Sequence, residues 1–326
     1  MSLIPRSVPA SGRAAHRMIS IYTWGRHSRF LSSTDRRAAV PGSPASVAPF
    51  IRTASPDRGI SIQGTRVGVG RTAEILAWGD GRVLKLLFEG LPKRMAEEEA
   101  RATGRLHELG LPVPQVEGVV EEQGRHGIVF ERIQGPSMLS RVTRFPWPVT
   151  RMARVLADLH GSIHRHRVPE LPPLHATLDR RIREAPGLSV EEKGEARDAL
   201  RELPDDSAVY HGDFHPGNVL LAPQGPIVID WIDAHRGHPS ADVARTILLL
   251  RLGELPEGTK RRWLIDALRR RLQKAYLRRY RMVRGISEIE LEAWLLPVAA
   301  ARLADGIPEE RRRLVQMVRE RLANRR

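Results

Sequence analysis

One stretch, residues 210–233, constrains the fold of this 326-residue chain more than any other. It reads YHGDFHPGNVLLAPQGPIVIDWID. Two short apolar runs, 219–221 and 227–229, flank a turn that contains proline and glycine, and this pattern predicts a β-hairpin. Such a hairpin would bring three polar residues at its open end close together: Asp213, Asn218 and Asp230.

These three side chains offer the oxygen atoms that a hard cation prefers. Mg²⁺ takes oxygen ligands and usually shares its coordination shell with water and substrate phosphates. Asn218 and Asp230 can hold such an ion, and Asp213 can orient an attacking hydroxyl and accept its proton. The alternative interpretation is a plain hairpin with ordinary turn residues. Residue types, order, spacing and flanking strands together favour the site.

The string His-Gly-Asp-Phe-His-Pro-Gly-Asn at 211–218, followed by Ile-Asp-Trp at 229–231, resembles the aminoglycoside phosphotransferase and choline kinase-like family. The resemblance implies an α+β, bilobal protein-kinase-like fold. A small N-terminal lobe would hold an antiparallel sheet and one helix, and a larger C-terminal lobe would be mostly helical. It also implies a cytoplasmic enzyme that uses ATP and Mg²⁺ to phosphorylate a hydroxyl of a small molecule.

The same resemblance implies a role for each residue of the site. Asp213 would be the catalytic base, and Asn218 and Asp230 would be the metal ligands. His211 would fix the conformation of the loop. Asp242, near the start of a predicted helix, is similar to the family's second acidic site and would support the catalytic loop through backbone hydrogen bonds.

Upstream, residues 60–134 have the pattern expected of a nucleotide-binding lobe. A glycine-containing turn over 67–73 precedes two strands joined by a tight hairpin, and a helix over 92–109 follows. In the turn, Gly68 and Gly70 would let backbone N–H groups approach phosphates. A lone Gly-x-Gly is weak support, and the prediction depends on the order of these elements.

Lys85 is a charged residue inside an apolar strand. A lysine that reaches solvent from an edge strand would explain it, whereas the family resemblance implies a lysine that contacts phosphate and pairs with a helix glutamate. Glu97, Glu98 and Glu99 compete for that pairing. We favour Glu99 because it lies seven residues before Leu106, and therefore on the same helix face.

The C-terminal lobe, residues 135–326, is expected to be mostly helical. His160 and His164 lie four residues apart, a spacing that can bind a metal ion. The sequence shows no acidic partner near them, so a buried, hydrogen-bonded His160 is the favoured interpretation. The segment 259–324 has helical periodicity, with one predicted buried face formed by Trp263, Leu264, Leu268 and Leu272.

The net charge of +15 is concentrated at the two ends of the chain, with +7 over residues 1–59 and +11 over residues 260–326. No basic stripe with stacking aromatic residues is visible, so we expect solvated basic faces and no specific nucleic-acid partner. A polycationic aminoglycoside suits a basic C-terminal third poorly. A neutral or anionic hydroxylated metabolite fits at least as well, unless acids such as Glu254, Glu257 or Asp266 line a local pocket.

Residues 1–59 are rich in serine, proline, alanine and arginine, and we expect a disordered N-terminal extension. The chain has no cysteine, which excludes disulfides and thiolate metal sites. No run approaches the roughly 18 apolar residues of a membrane-spanning helix. A nucleotide-binding regulator without turnover is the alternative function. The presence of Lys85, Asp213, Asn218 and Asp230 argues against it.

Overall fold

The computed structural model describes residues 65–252 and 262–325. The predicted N-terminal extension, 1–59, and the acids Glu254 and Glu257 lie outside the described residues. The described elements form the α+β architecture that the sequence predicted: a sheet with one helix first, then a mostly helical part.

The N-terminal part is a five-stranded antiparallel sheet with strand order β1-β2-β3-β5-β4, so that β3 is central. Helix α1 joins β3 to β4 and contacts β4 and β5. The elements are β1 (Arg66–Val69), β2 (Ala73–Ala77), β3 (Arg82–Leu87), α1 (Lys93–Glu108), β4 (Val116–Glu122) and β5 (Arg125–Glu131).

Side-chain alternation along β3 determines where Lys85 points. Val83 and Leu87 share an apolar cluster with Ala96 of α1, and Leu84 belongs to a second cluster on the opposite face. Because side chains alternate along a strand, Lys85 lies on the face that α1 covers. It is 6% exposed on a central strand, which rules out the edge-strand interpretation.

The glycine-containing turn is shorter than the sequence predicted. Gly68 lies inside β1, where its register partner is Ile75. The turn begins at Gly70, whose N–H donates to the carbonyl oxygen of Ala73 at 2.7 Å. Strand pairing therefore extends further into the 67–73 segment, because β-sheet hydrogen bonds satisfy backbone groups that a wider turn would leave unpaired.

The C-terminal part packs its helices around one large apolar core. Two small antiparallel ribbons, β6–β9 and β7–β8, lie against this core. The elements are α2 (Met138–Arg144), α3 (Val149–Ile163), α4 (Leu174–Glu184), α5 (Val190–Arg201), β6 (Ala208–Tyr210), β7 (Val219–Ala222), β8 (Gly225–Val228), β9 (His235–Gly237), α6 (Pro239–Leu252), α7 (Arg262–Arg284), α8 (Glu288–Arg302) and α9 (Pro308–Ala323).

The predicted hairpin is present as β7–β8, in which Val219 pairs with Val228. Its second strand ends at Val228, two residues before Asp230. The ribbon β6–β9 was not predicted. Its two strands come before and after the hairpin in sequence, and Tyr210 of β6 pairs with His235 of β9. The loop that carries Asp213 therefore begins and ends on paired strands.

The prediction of one buried apolar face on α7 is partly wrong. Trp263 is 70% exposed and Leu264 is 38% exposed, whereas Leu272 is buried. Helix α7 packs along α3. The buried residues of α7 at this contact, Tyr276 and Tyr280, lie in its later turns, and its first turn is more exposed. No helix within residues 65–252 and 262–325 has the length and apolar character that a membrane crossing requires.

Candidate active site

The loop between β6 and β7 carries Asp213 and ends in a short 3₁₀ helix, Pro216–Asn218. Asn218 Nδ2 donates to the Asp213 backbone oxygen at 2.9 Å and to Asp213 Oδ2 at 3.0 Å. Both partner atoms are acceptors, so the Asn218 side-chain amide must point its nitrogen, not its oxygen, toward Asp213. The pairing fixes the carboxylate and leaves Asn218 Oδ1 as the atom that can bind a cation.

Asp242, in the first turn of α6, holds the backbone of this loop. Its Oδ2 accepts from the His211 N–H at 2.6 Å and its Oδ1 from the Gly212 N–H at 3.0 Å. Gly212 has a φ of +82°, and a Cβ there would lie 2.8 Å from the Cβ of Asp233. The bend therefore requires glycine, and Asp242 satisfies two backbone donors that burial would otherwise leave unpaired.

His211 links the loop to the end of β8. Its Nδ1 accepts from the Asp213 N–H at 3.1 Å, so in the neutral ring Nε2 carries the proton and donates to the Ile229 carbonyl oxygen at 3.2 Å. Burial lowers the pKa of His211, against the opposing effect of nearby carboxylates. The neutral ring therefore fixes Asp213 relative to the residue that precedes Asp230.

His160 lies in the last turn of α3 and His164 directly follows that helix, and Asp242 is their shared acidic partner. Their Nε2 atoms lie 3.1 and 3.3 Å from Asp242 Oδ2. Their Nδ1 atoms meet the hydroxyls of Tyr276 and Tyr280 at 2.7 and 2.5 Å. The expectation that no acid lies nearby was wrong, because the partner comes from a distant helix. All four ring nitrogens have protein partners, so the cluster is satisfied without a metal and supports Asp242.

Lys85 lies where the sheet meets the end of the β7–β8 hairpin. Its Nζ is 2.6 and 2.8 Å from the two carboxylate oxygens of Glu99, and 2.6 Å from Asp230 Oδ1. Glu99 is therefore the partner of Lys85, while Glu97 and Glu98 pair with basic residues on the outer face of α1. Burial raises the pKa of Glu99, and the Lys85 ammonium opposes that rise.

Asp230 directly follows the Ile229 that ends the apolar run, and its backbone is left-handed, with a φ of +69°. This conformation is uncommon outside glycine, although aspartate tolerates it. The bend directs Oδ1 to Lys85 while the side chain stays 26% exposed. The Ile229 N–H donates to the Asn218 carbonyl oxygen at 3.0 Å, which places Asn218 and Asp230 at the same end of the hairpin.

The chemistry of these donors fits a hard cation. Asn218 offers an amide oxygen and Asp230 offers its second carboxylate oxygen, both from the same end of one hairpin. Oxygen ligands of this kind suit Mg²⁺, which usually completes its shell with water and phosphate oxygens. The two residues can therefore form the protein side of a magnesium site.

An apolar slot opens between the sheet and the hairpin, and Lys85, Glu99 and Asp230 form part of its wall. Val67 lines the slot, and Gly68 directly follows it in β1. Apolar walls with a few convergent polar groups suit a heterocyclic ring that carries phosphates. The apolar lining comes from both sides of the slot: Val67, Ile75, Val83, Phe130, Ile133, Leu220, Ile229 and Trp231.

Asp213 is ionised at neutral pH. Burial alone would raise its pKa, but the nearby His215, Arg245 and His211 side chains hold the pKa of Asp213 well below its ordinary range. The carboxylate is therefore held in its ionised form, which can accept a hydrogen bond from a hydroxyl and orient it.

The fold and this arrangement define a kinase-like phosphotransferase. The chain belongs to the phosphotransferase enzyme family (APH), whose profile matches residues 66–291. No curated protein matches the chain in sequence.

Two solved structures share the fold. An aminoglycoside-3'-phosphotransferase of type VIII is 23% identical, with a TM-score of 0.54 over 76% of this chain and 92% of that one. The amicoumacin kinase hAmiN, in complex with AMP-PNP, Ca²⁺ and Ami, is 13% identical, with a TM-score of 0.53 over 80% of this chain and 88% of that one. At these identities the likeness establishes the fold.

Sequence reasoning missed two residues whose side chains contact the loop that carries Asp213, one within it and one on α6. His215 Nε2 is 3.4 Å from Asp213 Oδ2. Arg245 Nε donates to the Gly212 carbonyl oxygen at 2.9 Å. Arg245 follows Asp242 by three residues, about one helical turn, and that spacing could have identified it. The motif contains His215, but no spacing rule predicts which way its ring turns.

Proposed function

We propose that this phosphotransferase uses ATP and Mg²⁺ to move a γ-phosphoryl group to a hydroxyl of a small molecule. One observation carries the proposal: Lys85 and Glu99 meet Asp230 beside a loop that holds Asp213 against Asn218. Family membership supports the reaction class. The amicoumacin kinase complex with AMP-PNP and Ca²⁺ supports a nucleotide and a divalent cation.

Each residue of the site has a separate role in this proposal. Lys85 binds nucleotide phosphates, and Glu99 orients its ammonium group. Asn218 and Asp230 hold Mg²⁺, which when bound neutralises phosphate charge. Asp213 orients the acceptor hydroxyl and takes its proton as the hydroxyl oxygen bonds to phosphorus and ADP leaves. Positioning and electrostatic stabilisation then supply most of the catalysis.

In the same proposal, residues 60–134 form the nucleotide-binding lobe, and residues 135–326 form the catalytic and acceptor lobe. Glycines 68 and 70 belong to the strand and turn that would cover the phosphates. His211 and Asp242 act on the reaction only through the loop that they support.

The charges beside the loop favour a neutral or anionic acceptor. Asp233, which approaches Gly212, pairs with Arg181 at 2.9 Å. Asp305 pairs with both Arg181 and Arg245. An aminoglycoside is a polycation and would need free acids, whereas these two acids, among the described residues beside the loop, are already paired with arginines. We therefore infer that a hydroxylated metabolite without positive charge is the better substrate class.

Asp213→Asn tests the proposed reaction, because asparagine keeps the shape of the side chain and removes its ability to take a proton. Wild-type protein is incubated with MgATP and hydroxyl compounds of neutral, anionic and cationic classes, aminoglycosides included, and phosphorylated products are measured by mass spectrometry. We expect the variant to lose on the order of 10²–10⁴-fold in kcat, with nearly unchanged MgATP affinity.

The matched control is Asp158→Asn, which removes a carboxylate from a surface ion pair with Arg279 and should leave kcat unchanged. Near wild-type turnover in Asp213→Asn would show that the assignment of the base is wrong. Wild-type protein that binds MgATP and phosphorylates none of the classes would instead support a nucleotide-binding regulator.

A further inference from the structure

His215, the second histidine of the catalytic loop, is the N-cap residue of the 3₁₀ helix Pro216–Asn218. Its Nδ1 accepts from the Gly217 N–H at 3.0 Å. A Cβ at position 217 would lie 2.5 Å from His215 Cε1 and 2.9 Å from Nδ1. Glycine at 217 is therefore what allows the ring to lie against the backbone, and the two residues together specify one ring orientation.

This hydrogen bond also fixes which ring nitrogen carries the proton. A backbone N–H can only donate, so His215 Nδ1 must be the acceptor, and the proton of the neutral ring is on Nε2. Nε2 lies 3.4 Å from Asp213 Oδ2. A small rotation of the ring brings this N–H group to ordinary hydrogen-bond distance from the carboxylate.

A second donor reaches the same carboxylate oxygen. Asn218 Nδ2 donates to Asp213 Oδ2 at 3.0 Å. His215 and Asn218 therefore converge on Oδ2, and both come from the loop that carries Asp213 itself. Within residues 65–252 and 262–325 no hydrogen bond reaches the other oxygen, Oδ1, so it is the one available to meet a hydroxyl group.

We propose that His215 is a positioning residue which, together with Asn218, holds Oδ2 of Asp213 and so assigns proton acceptance to Oδ1. The inference rests on the proposed function. In the reaction, the acceptor O–H bond breaks and its proton moves to Oδ1. The acceptor oxygen bonds to the γ-phosphorus, and the bond from that phosphorus to ADP breaks. His215 neither gains nor loses a proton.

Two substitutions separate this role from the capping of the 3₁₀ helix. In His215→Asn the shorter side chain can still accept from the Gly217 N–H, because asparagine is a good N-cap residue, but it cannot reach Asp213. In His215→Gln the longer side chain keeps an N–H donor near the position of Nε2 and is a poorer cap. If His215 only caps the helix, His215→Asn should be the more active variant. If it also holds Asp213, His215→Gln should be the more active one.

The measurement compares kcat, the acceptor KM, MgATP affinity and thermal stability in the wild type and both variants. We expect His215→Asn to keep its melting temperature and MgATP affinity and to lose about ten- to a hundredfold in kcat, the usual effect of losing a hydrogen bond to a charged group. His215→Gln should recover most of that loss. Equal loss in both variants, or higher activity in His215→Asn, would overturn the proposal.

A second measurement needs no acceptor. Nitrogen-15 NMR of the wild-type protein, recorded under conditions in which the ring gives the shifts of a neutral imidazole, identifies the protonated ring nitrogen of His215. We expect Nε2–H, and Nδ1–H would overturn the proposed orientation even if the enzyme is active. Conversely, if His215 carries its proton on Nε2 but the protein phosphorylates no acceptor, the ring orientation is right and the proposed function is wrong.

Discussion

At the scale of single residues, Asp230 combines a left-handed backbone, an ion pair with Lys85 and a partly exposed carboxylate. Asparagine tolerates the same backbone conformation and has nearly the same shape. Asp230→Asn therefore removes the charge of the side chain with little effect on the bend that positions it, and this makes the metal role testable apart from folding.

We predict that Asp230→Asn loses the part of ATP affinity that depends on magnesium. The affinity is measured by calorimetry with Mg²⁺ and with a chelator, and the ratio of the two values is compared with that of the wild type. The ratio should fall by on the order of tenfold, or about 1.4 kcal/mol of binding free energy, because a carboxylate ligand of the cation is gone.

Asp233→Asn is the matched control, because it removes the same charge three residues later from a carboxylate that pairs with Arg181. It should keep the wild-type ratio. A wild-type ratio in Asp230→Asn as well would exclude this aspartate as a metal ligand.

The residue scale also shows where sequence reasoning succeeds. Three consecutive glutamates could pair with Lys85, and helical periodicity alone selected Glu99, because the face shared with Leu106 is the buried one. The shared acidic partner of His160 and His164 could not be found in this way. Asp242 lies about 80 residues away in sequence, and periodicity within one helix carries no information about another.

At the scale of elements, helices α3, α6 and α7 meet at the buried His160. Its ring contacts Asp242 on α6, Tyr276 on α7, His164 just after α3 and Phe214 on the loop. Burial, together with the charge of His164, lowers the pKa of His160 to about 3, against the opposing effect of Asp242. Burial also lowers the pKa of His164 and of His211.

We predict that the free energy of unfolding falls as the pH drops below about 6.5, the ordinary histidine value. Below that pH the unfolded chain binds a proton that folded His160 does not bind until about pH 3, and the lowered pKa values of His164 and His211 act in the same direction, so acid favours unfolding. Asp242, whose pKa is well below its ordinary value, adds a further loss in stronger acid. Urea unfolding at a series of pH values measures how steeply the free energy of unfolding changes with pH.

His160→Gln should make this slope shallower, because one buried group that resists protonation is gone. His107→Gln is the control, since His107 lies exposed on α1. An unchanged slope in His160→Gln would mean that other groups dominate the acid response.

Element prediction worked where the signal was local. The β7–β8 hairpin follows from two apolar runs around a turn of proline and glycine. The ribbon β6–β9 pairs strands of three residues each that are separated by the whole loop and hairpin. Strands this short have no alternation to detect, and their pairing depends on tertiary packing.

At the scale of the whole molecule, a charge network connects the C-terminal helices to the loop that carries Asp213. Asp305 contacts Arg181, Arg245 and Arg302 at 3.2, 2.6 and 3.3 Å. Arg245 in turn donates to the Gly212 carbonyl oxygen. Asp305 lies after the residues 66–291 that the family profile matches. Part of the support for the loop therefore comes from a segment outside the family match.

We predict that Asp305→Asn destabilises the protein by about 3–5 kcal/mol, because it removes one partner of a buried ion pair. It should also lower kcat, since Arg245 loses the partner that holds it against the loop. Chemical denaturation and steady-state kinetics measure the two effects.

Asp158→Asn serves as the surface comparison, because the Asp158–Arg279 pair is largely exposed and should change stability by about 0–1 kcal/mol. Equal effects of the two substitutions would contradict a special role for the Asp305 network.

The fold class was predictable because the loop motif, the central lysine strand and the following helix occur in a fixed order. The network around Asp305 was not, because an arginine-rich C-terminal segment looks like a solvated basic face in sequence. Several of its charges are instead buried and paired: Arg302 is 2% exposed and binds Glu310 at 2.6 Å.

Trp231 comes directly after Asp230, is 1% exposed and forms part of the wall of the apolar slot. Its indole ring lies 4.4 Å from the ring of His211. Trp231 thus lies between the Asp213 loop and the slot, where a bound molecule would change the surroundings of its indole. The chain has five other tryptophans, so replacing those five by phenylalanine would isolate the fluorescence of Trp231 as a reporter of occupancy.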